Sequence, residues 1–178
     1  GDEDPQLPEL LRRIAVAGLE LRLFQMQSDT GVPAFLAMLE AKHHRHFSAS
    51  AQGSRCGGCG CHPDAGRAIV KAITDAAQAR LAVVAGARDD IRSEHYATDS
   101  FMNFEKPFRA NANPAAKSVT VPGTGRGKVS IENATHDLVE RLGTIGIRQL
   151  VSVEMNARRF GIHVVRIVSD QLQVPLEG

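Results

Sequence analysis

Apolar and polar positions divide the chain into short elements with a glycine at many of the junctions. Leu10, Leu11 and Ile14, with Ala17, recur at helical spacing. Pro5 and Pro8 suit the start of that helix, because the N–H that proline lacks has no partner in a first turn. Gly18 ends it. Leu19, Leu21 and Leu23 then alternate with Glu20 and Arg22, the pattern of a half-buried strand. Ser28, Asp29, Thr30 and Gly31 form a turn, and residues 32–39 form a second, more apolar strand. The short link predicts an antiparallel pair.

Residues 42–52 carry His43, His44 and His46 and read as a loop to which no role is assigned. A glycine- and cysteine-rich loop follows from Gly53, and then one long alanine-rich helix over residues 65–84. Residues 92–113 are polar and irregular, and Pro107 and Pro114 break any long element there. Residues 121–128 form a glycine-rich turn or loop. A second helix, capped by Thr135, runs through Leu142 and ends at Gly146, and strands follow over residues 149–154 and 162–168. Leu10, Gly18 and Leu19 recur at one constant offset as Leu138, Gly146 and Ile147. Two α–β–β units thus flank the central helix, either by duplication or because such units look alike. The expected fold is one α+β domain over residues 1–178, with helices packed on an antiparallel or mixed sheet.

At 100° per residue, Arg67, Lys71, Asp75 and Gln78 fall on one narrow stripe of the central helix. Ile69, Ile73, Ala76 and Val84 fall opposite, and further apolar residues widen that side, so the helix is expected to sit deep in the domain. The polar stripe has two readings. Either it faces solvent with Lys71 paired to Asp75 one turn away, or it lines a cleft with Asp75 toward a metal and Lys71 toward phosphate. Arg80 lies at the centre of the apolar side. Either it snorkels to the surface, or it needs an anion, from Asp89 or Asp90 or from a ligand phosphate.

Composition narrows the function classes. The chain has 178 residues, 43% of them hydrophobic, and a net charge of +1. With no Trp and one Tyr it lacks the basic, aromatic surface of a nucleic-acid binder. No apolar run approaches the roughly 18 residues of a membrane span, and no signal peptide is visible, so neither a membrane nor a secretory route is expected and the location is expected to be cytoplasmic. Cys56, Cys59, Cys61 and His62 resemble a zinc-ligand run, but no second pair of ligands accompanies them. The segment reads better as glycine-rich backbone ahead of a helix N-terminus, where open N–H groups attract an anion. It is neither a Walker A motif nor a Rossmann fingerprint.

Gly58, Cys59, Gly60, Cys61, His62, Pro63 and Asp64, then Ala68, Ala72 and the run Thr74–Arg80, and finally Gly86, Arg88, Asp89 and Asp90, resemble the YcaO family. Ala17 to Glu20, Gly31 to Pro33 and Gly161 to Arg166 look like its flanking elements. The resemblance covers essentially the whole chain, but only the C-terminal half of a family domain. It implies binding of ATP and Mg2+ and activation of a peptide backbone amide by phosphorylation after a nucleophile adds. Cysteine, serine or threonine side chains then give azolines (cyclodehydration to thiazole or oxazole precursors), and sulfide gives a thioamide. Such an enzyme modifies ribosomally made peptides or proteins. By position the resemblance places Lys71, Gln78 and Arg80 at the nucleotide and Asp75 at magnesium, and it assigns no catalytic residue. It further implies a peptide or protein substrate and a partner of leader-binding or TfuA-like kind, and it leaves room for a homodimer.

Three positions depart from the family pattern. Gly66 and Gln173 stand where the family has glutamates, and Asp75 is a shortened glutamate. These departures motivate an alternative, in which the chain is a non-catalytic accessory or scaffold that has lost nucleotide-site carboxylates. A zinc-binding domain is the third reading.

Overall fold

The computed structural model describes residues 5–41, 55–86, 130–155 and 160–172. The histidine-containing loop, residues 92–113 and residues 121–128 lie outside them. The chain forms two compact units, Gly1–Lys128 and Val129–Gly178.

The first unit runs α1 (Leu7–Val16), β1 (Leu19–Met26), β2 (Ala34–Ala41), β3 (Arg55–Cys61) and α2 (Ala65–Ala85). Pro8 sits in the first turn of α1, and Gly18, at φ +68°, turns the chain into β1. Leu7, Leu10 and Ile14 pack inward, whereas Leu11, expected in the apolar stripe, is 43% exposed. β1 and β2 pair antiparallel as the short link predicts, with Leu21 opposite Leu39 and Leu23 opposite Ala37.

The main correction concerns residues 55–61, which form a strand and not a loop. β3 pairs antiparallel with β2, in the order β1-β2-β3. Its period-two pattern is written in glycine and cysteine. Cys56, Gly58 and Gly60 are buried, while Cys59 and Cys61 on the other face are exposed. The hydrophobic signal that marks a strand is therefore missing from the sequence.

The core lies between this sheet and α2. Phe35, Ala37 and Leu39 of β2 meet Ala65, Ala68, Ile69, Ala72, Ile73 and Ala76, with α1 against the same cluster. Leu36 and Met38 point to the opposite face and are each 1% exposed, so β2 is buried on both sides. That explains its nearly unbroken apolar sequence. α2 approaches β3 unusually closely. A Cβ on Gly58 would stand 2.1 Å from the Ala76 backbone nitrogen, and one on Gly60 would stand 2.0 Å from the Ala68 carbonyl oxygen. Only the first turns of α2 are deep. Leu81 and Val84, on the side expected to lie deep in the domain, are 67% and 66% exposed.

The second unit holds α3 (Ile131–Thr144) and the antiparallel hairpin of β4 (Val151–Met155) and β5 (Val164–Val168). Ser130, and not Thr135, caps α3: its hydroxyl accepts the Asn133 N–H at 3.2 Å. Thr135 lies inside the helix and donates to the Ile131 carbonyl instead. Gln171 ties the ends of this unit together. Its side-chain oxygen accepts the N–H groups of Arg148 and Gln149 at 2.8 and 3.1 Å, and its amide nitrogen donates to Gly146 at 3.2 Å. The α–β–β order recurs in both units, with left-handed glycines at Gly18 and Gly31 in one and at Gly146 and Gly161 in the other.

Two measurements check this packing. Gly58→Ala or Gly60→Ala inserts a methyl group into helix backbone and should cost about 3 kcal/mol or more in urea denaturation. Gly143→Ala, in an open helical position, should instead stabilise by about 0.5 kcal/mol. In mass-spectrometric alkylation with iodoacetamide, Cys59 and Cys61 should react first and Cys56, 5% exposed, should react only on unfolding.

Candidate functional site

The chain enters α2 through a fixed turn. His62 donates its N–H to the Pro33 carbonyl at 3.1 Å, and its Nδ1 accepts the Asp64 N–H at 2.9 Å. The Asp64 carboxylate then accepts the Arg67 N–H at 2.9 Å and caps the helix. This arrangement replaces the expected anion loop. A carboxylate already occupies the helix N-terminus, where its negative charge disfavours a second anion. The amides of Gly58 and Gly60 face β2 in the ladder, as the His62–Pro33 bond and the register require.

The polar stripe of α2 is present as the sequence implies: Arg67, Lys71, Asp75 and Gln78 are all exposed. The Lys71–Asp75 pair of the solvent-facing reading is not formed among the described residues. Asp75 turns to the strand instead, and its Oδ2 accepts the backbone N–H of Cys59 at 3.0 Å. By the alternation of the antiparallel ladder, that N–H points away from β2, off the outer side of β3. Oδ1 accepts no hydrogen bond among the described residues.

Arg80 lies one turn beyond Ala76 and is half-buried. Its Nη1 is buried and has no hydrogen-bond partner among the described residues. Cys56 is near it. Burial pushes the Cys56 thiol above its ordinary range, and the Arg80 charge opposes that shift. Asp89 and Asp90, the carboxylates considered for Arg80, lie outside the described residues. The Cys59 thiol is also pushed up, by burial first and then by the charge of Asp75. Asp75 and Arg80 thus both stand over β3, at Cys59 and near Cys56 respectively.

The four residues of the zinc reading do not converge. Cys56 is on the helix side of the sheet, Cys59 and Cys61 are on the other, and His62 Nδ1 is committed to Asp64. Among the described residues no group of three or more His, Cys, Asp or Glu could hold a metal ion. The role of the Cys59 amide could not be read from the sequence, because a backbone N–H has no residue signature. Its only hint is the run of glycines beside it.

In kind these donors are those a metal nucleotide uses, although Arg80 stands on the side of α2 opposite Lys71 and Gln78. Asp75 offers a hard carboxylate oxygen of the kind magnesium prefers, and Lys71 and Arg80 offer cations for phosphate. The orphaned Nη1 of Arg80 is a buried donor that an anionic oxygen would satisfy. No helix among the described residues is long and apolar enough to cross a membrane.

The family model for YcaO cyclodehydratase, ATP- and Mg2+-binding, matches residues 1–173. A protein of the tfuA 3' region of Rhizobium leguminosarum bv. trifolii is 32% identical over 186 residues, covering 98% of this chain and 42% of the relative. An uncharacterized protein of Methanothermobacter thermautotrophicus is 24% identical over 178 residues, covering 98% and 44%. The chain therefore spans less than half the length of these curated relatives.

Among solved structures, YcaO from Methanopyrus kandleri bound with AMPPCP and Mg2+ superposes with a TM-score of 0.66 at 21% identity, over 93% of this chain and 43% of that one. The heterocyclase TruD gives 0.63 at 18% identity, over 93% and 22%. A heterocyclase in complex with substrate and cofactor gives 0.65 at 16%, over 92% and 21%. These structures share the α+β fold, and with the family match over nearly every residue they show that this chain belongs to the YcaO family.

Proposed function

We propose that the complete protein activates backbone amides of a peptide or protein substrate in an ATP- and magnesium-dependent cyclodehydration or thioamidation. This chain would supply one wall of the nucleotide site. The observation that carries the reading is the buried Nη1 of Arg80, without a hydrogen-bond partner among the described residues, on the same helix as the exposed stripe of Lys71, Asp75 and Gln78. A buried donor without a partner costs about 1–3 kcal/mol, and a ligand phosphate oxygen removes that cost. In this reading Arg80, Lys71 and Gln78 bind the phosphates and Asp75 holds magnesium through Oδ1. When bound, ATP and magnesium supply the phosphoryl group that makes an amide oxygen a leaving group and offset the charge that develops. The neighbour whose structure holds AMPPCP and Mg2+ supports the ligand class, and the one in complex with substrate supports a separate substrate. The relative from a tfuA 3' region supports a TfuA-like partner.

Calorimetry of the complete protein with a non-hydrolysable ATP analogue and Mg2+ tests this reading. Asp75→Ala should weaken magnesium-dependent binding about tenfold or more, a loss of about 1.4 kcal/mol. Retained affinity would remove Asp75 from the site. Arg80→Met should weaken nucleotide binding as strongly, yet raise the stability of the ligand-free protein by about 1 kcal/mol, because it deletes an unsatisfied buried donor. Nucleotide binding without turnover on any peptide would place the protein in the accessory role.

A further inference from the structure

We propose that the backbone N–H of Cys59 is a positioning group for Asp75, fixing Oδ2 so that Oδ1 is presented to the metal. This rests on the assignment of Asp75 to magnesium made above. An aspartate on an exposed helix face ordinarily samples several rotamers, and ordering it costs entropy at the moment of binding. Here one oxygen is tied at 3.0 Å to an amide of a strand that is itself held in register by β2. The donor cannot swing, because its strand is held by the ladder on the opposite edge. A carboxylate held this way is ordered before its ligand arrives, as supporting hydrogen bonds do for metal-ligating side chains generally.

The strand and helix are shaped for this contact. A Cβ on Gly58 would stand 2.6 Å from the Asp75 carbonyl carbon and 2.1 Å from the Ala76 nitrogen, so only glycine lets α2 descend this far. A side chain as short as aspartate reaches the outer amide of β3 only because of that descent. The amide is also the right one. Cys59 points its N–H away from β2, whereas Gly58 and Gly60 spend theirs in the ladder. The Cys59 side chain takes no part in the bond, so the thiol is dispensable and the N–H is not.

The first test needs neither metal nor nucleotide. Hydrogen exchange at the Cys59 amide should speed up about tenfold in Asp75→Ala, the equivalent of one net hydrogen bond. Exchange should stay slow in Asp75→Asn, which keeps an acceptor oxygen but loses the charge that magnesium needs. It should also stay slow in Cys59→Ala. Exchange at Cys59 that does not respond to Asp75→Ala overturns the anchor. The second test is binding. Titrating the wild-type protein with Mg2+ and an ATP analogue should shift the Cys59 amide resonance, and an unmoved resonance on saturation overturns the positioning role. Cys59→Pro removes the donor at an outward-facing edge position that tolerates proline, and where it folds it should lower magnesium affinity about tenfold, the same single hydrogen bond. Equal affinity in folded Cys59→Pro overturns the proposal. A wild-type protein with a slow, Asp75-dependent Cys59 amide that binds no magnesium overturns the functional reading of Asp75 and the positioning role with it, while the hydrogen bond stands.

Discussion

The close approach of α2 to β3 is the constraint on which the rest of the first unit depends. Helix backbone at Ala68, Ala72, Asp75 and Ala76 lies where side chains of residues 58 and 60 would be. The contact is made by backbone and methyl groups, with Ala68, Ala72 and Ala76 each fully buried. Such an interface has little apolar area per residue, and its strength comes from close packing over many atoms. Its tolerance is correspondingly small. The bulk of the core is carried one strand further in, by Phe35 and Leu39 of β2 with Ile69 and Ile73 of α2.

The same closeness sets the chemistry. It brings Asp75 within reach of a strand amide and puts Arg80 near Cys56, so that a carboxylate and a guanidinium stand over one strand. The carboxylate is partly satisfied, and Nη1 of the guanidinium has no partner among the described residues. In a protein selected for stability alone, a buried donor of this kind would be replaced by an apolar side chain of similar shape. Its presence on the helix that also carries the exposed stripe of Lys71 and Asp75 is what the proposed nucleotide site rests on.

The α–β–β repeat gives the two units a common local logic. Gly18 and Gly146 each end a helix in a left-handed turn, and Gly31 and Gly161 each reverse the chain before a strand. The solutions differ in detail. Gln171 closes the second unit with three side-chain hydrogen bonds to backbone. The first unit relies instead on apolar packing of Leu7, Leu10 and Ile14 of α1 against the core.

Much of this was written in the chain itself. The helical spacing of Leu10 and Ile14, the alternation of Leu19, Leu21 and Leu23, and the apolar run of β2 specify their elements, because each pattern matches the period of the structure that buries it. The angular positions of Lys71, Asp75 and Gln78 on α2 were likewise determined by sequence, since helix geometry is local. Tertiary structure decided what local rules cannot express. Residues 55–61 became a strand because pairing with β2 and cover by α2 compensate for a segment whose glycines have no hydrophobic signal. Asp75 turned from Lys71 to the Cys59 amide, and Ser130 displaced Thr135 as a cap, because hydrogen-bond partners are chosen by three-dimensional reach. The burial of Arg80 Nη1 without a partner among the described residues is of the same kind: sequence placed the residue on the apolar face, and only packing decided how far its donor would be buried.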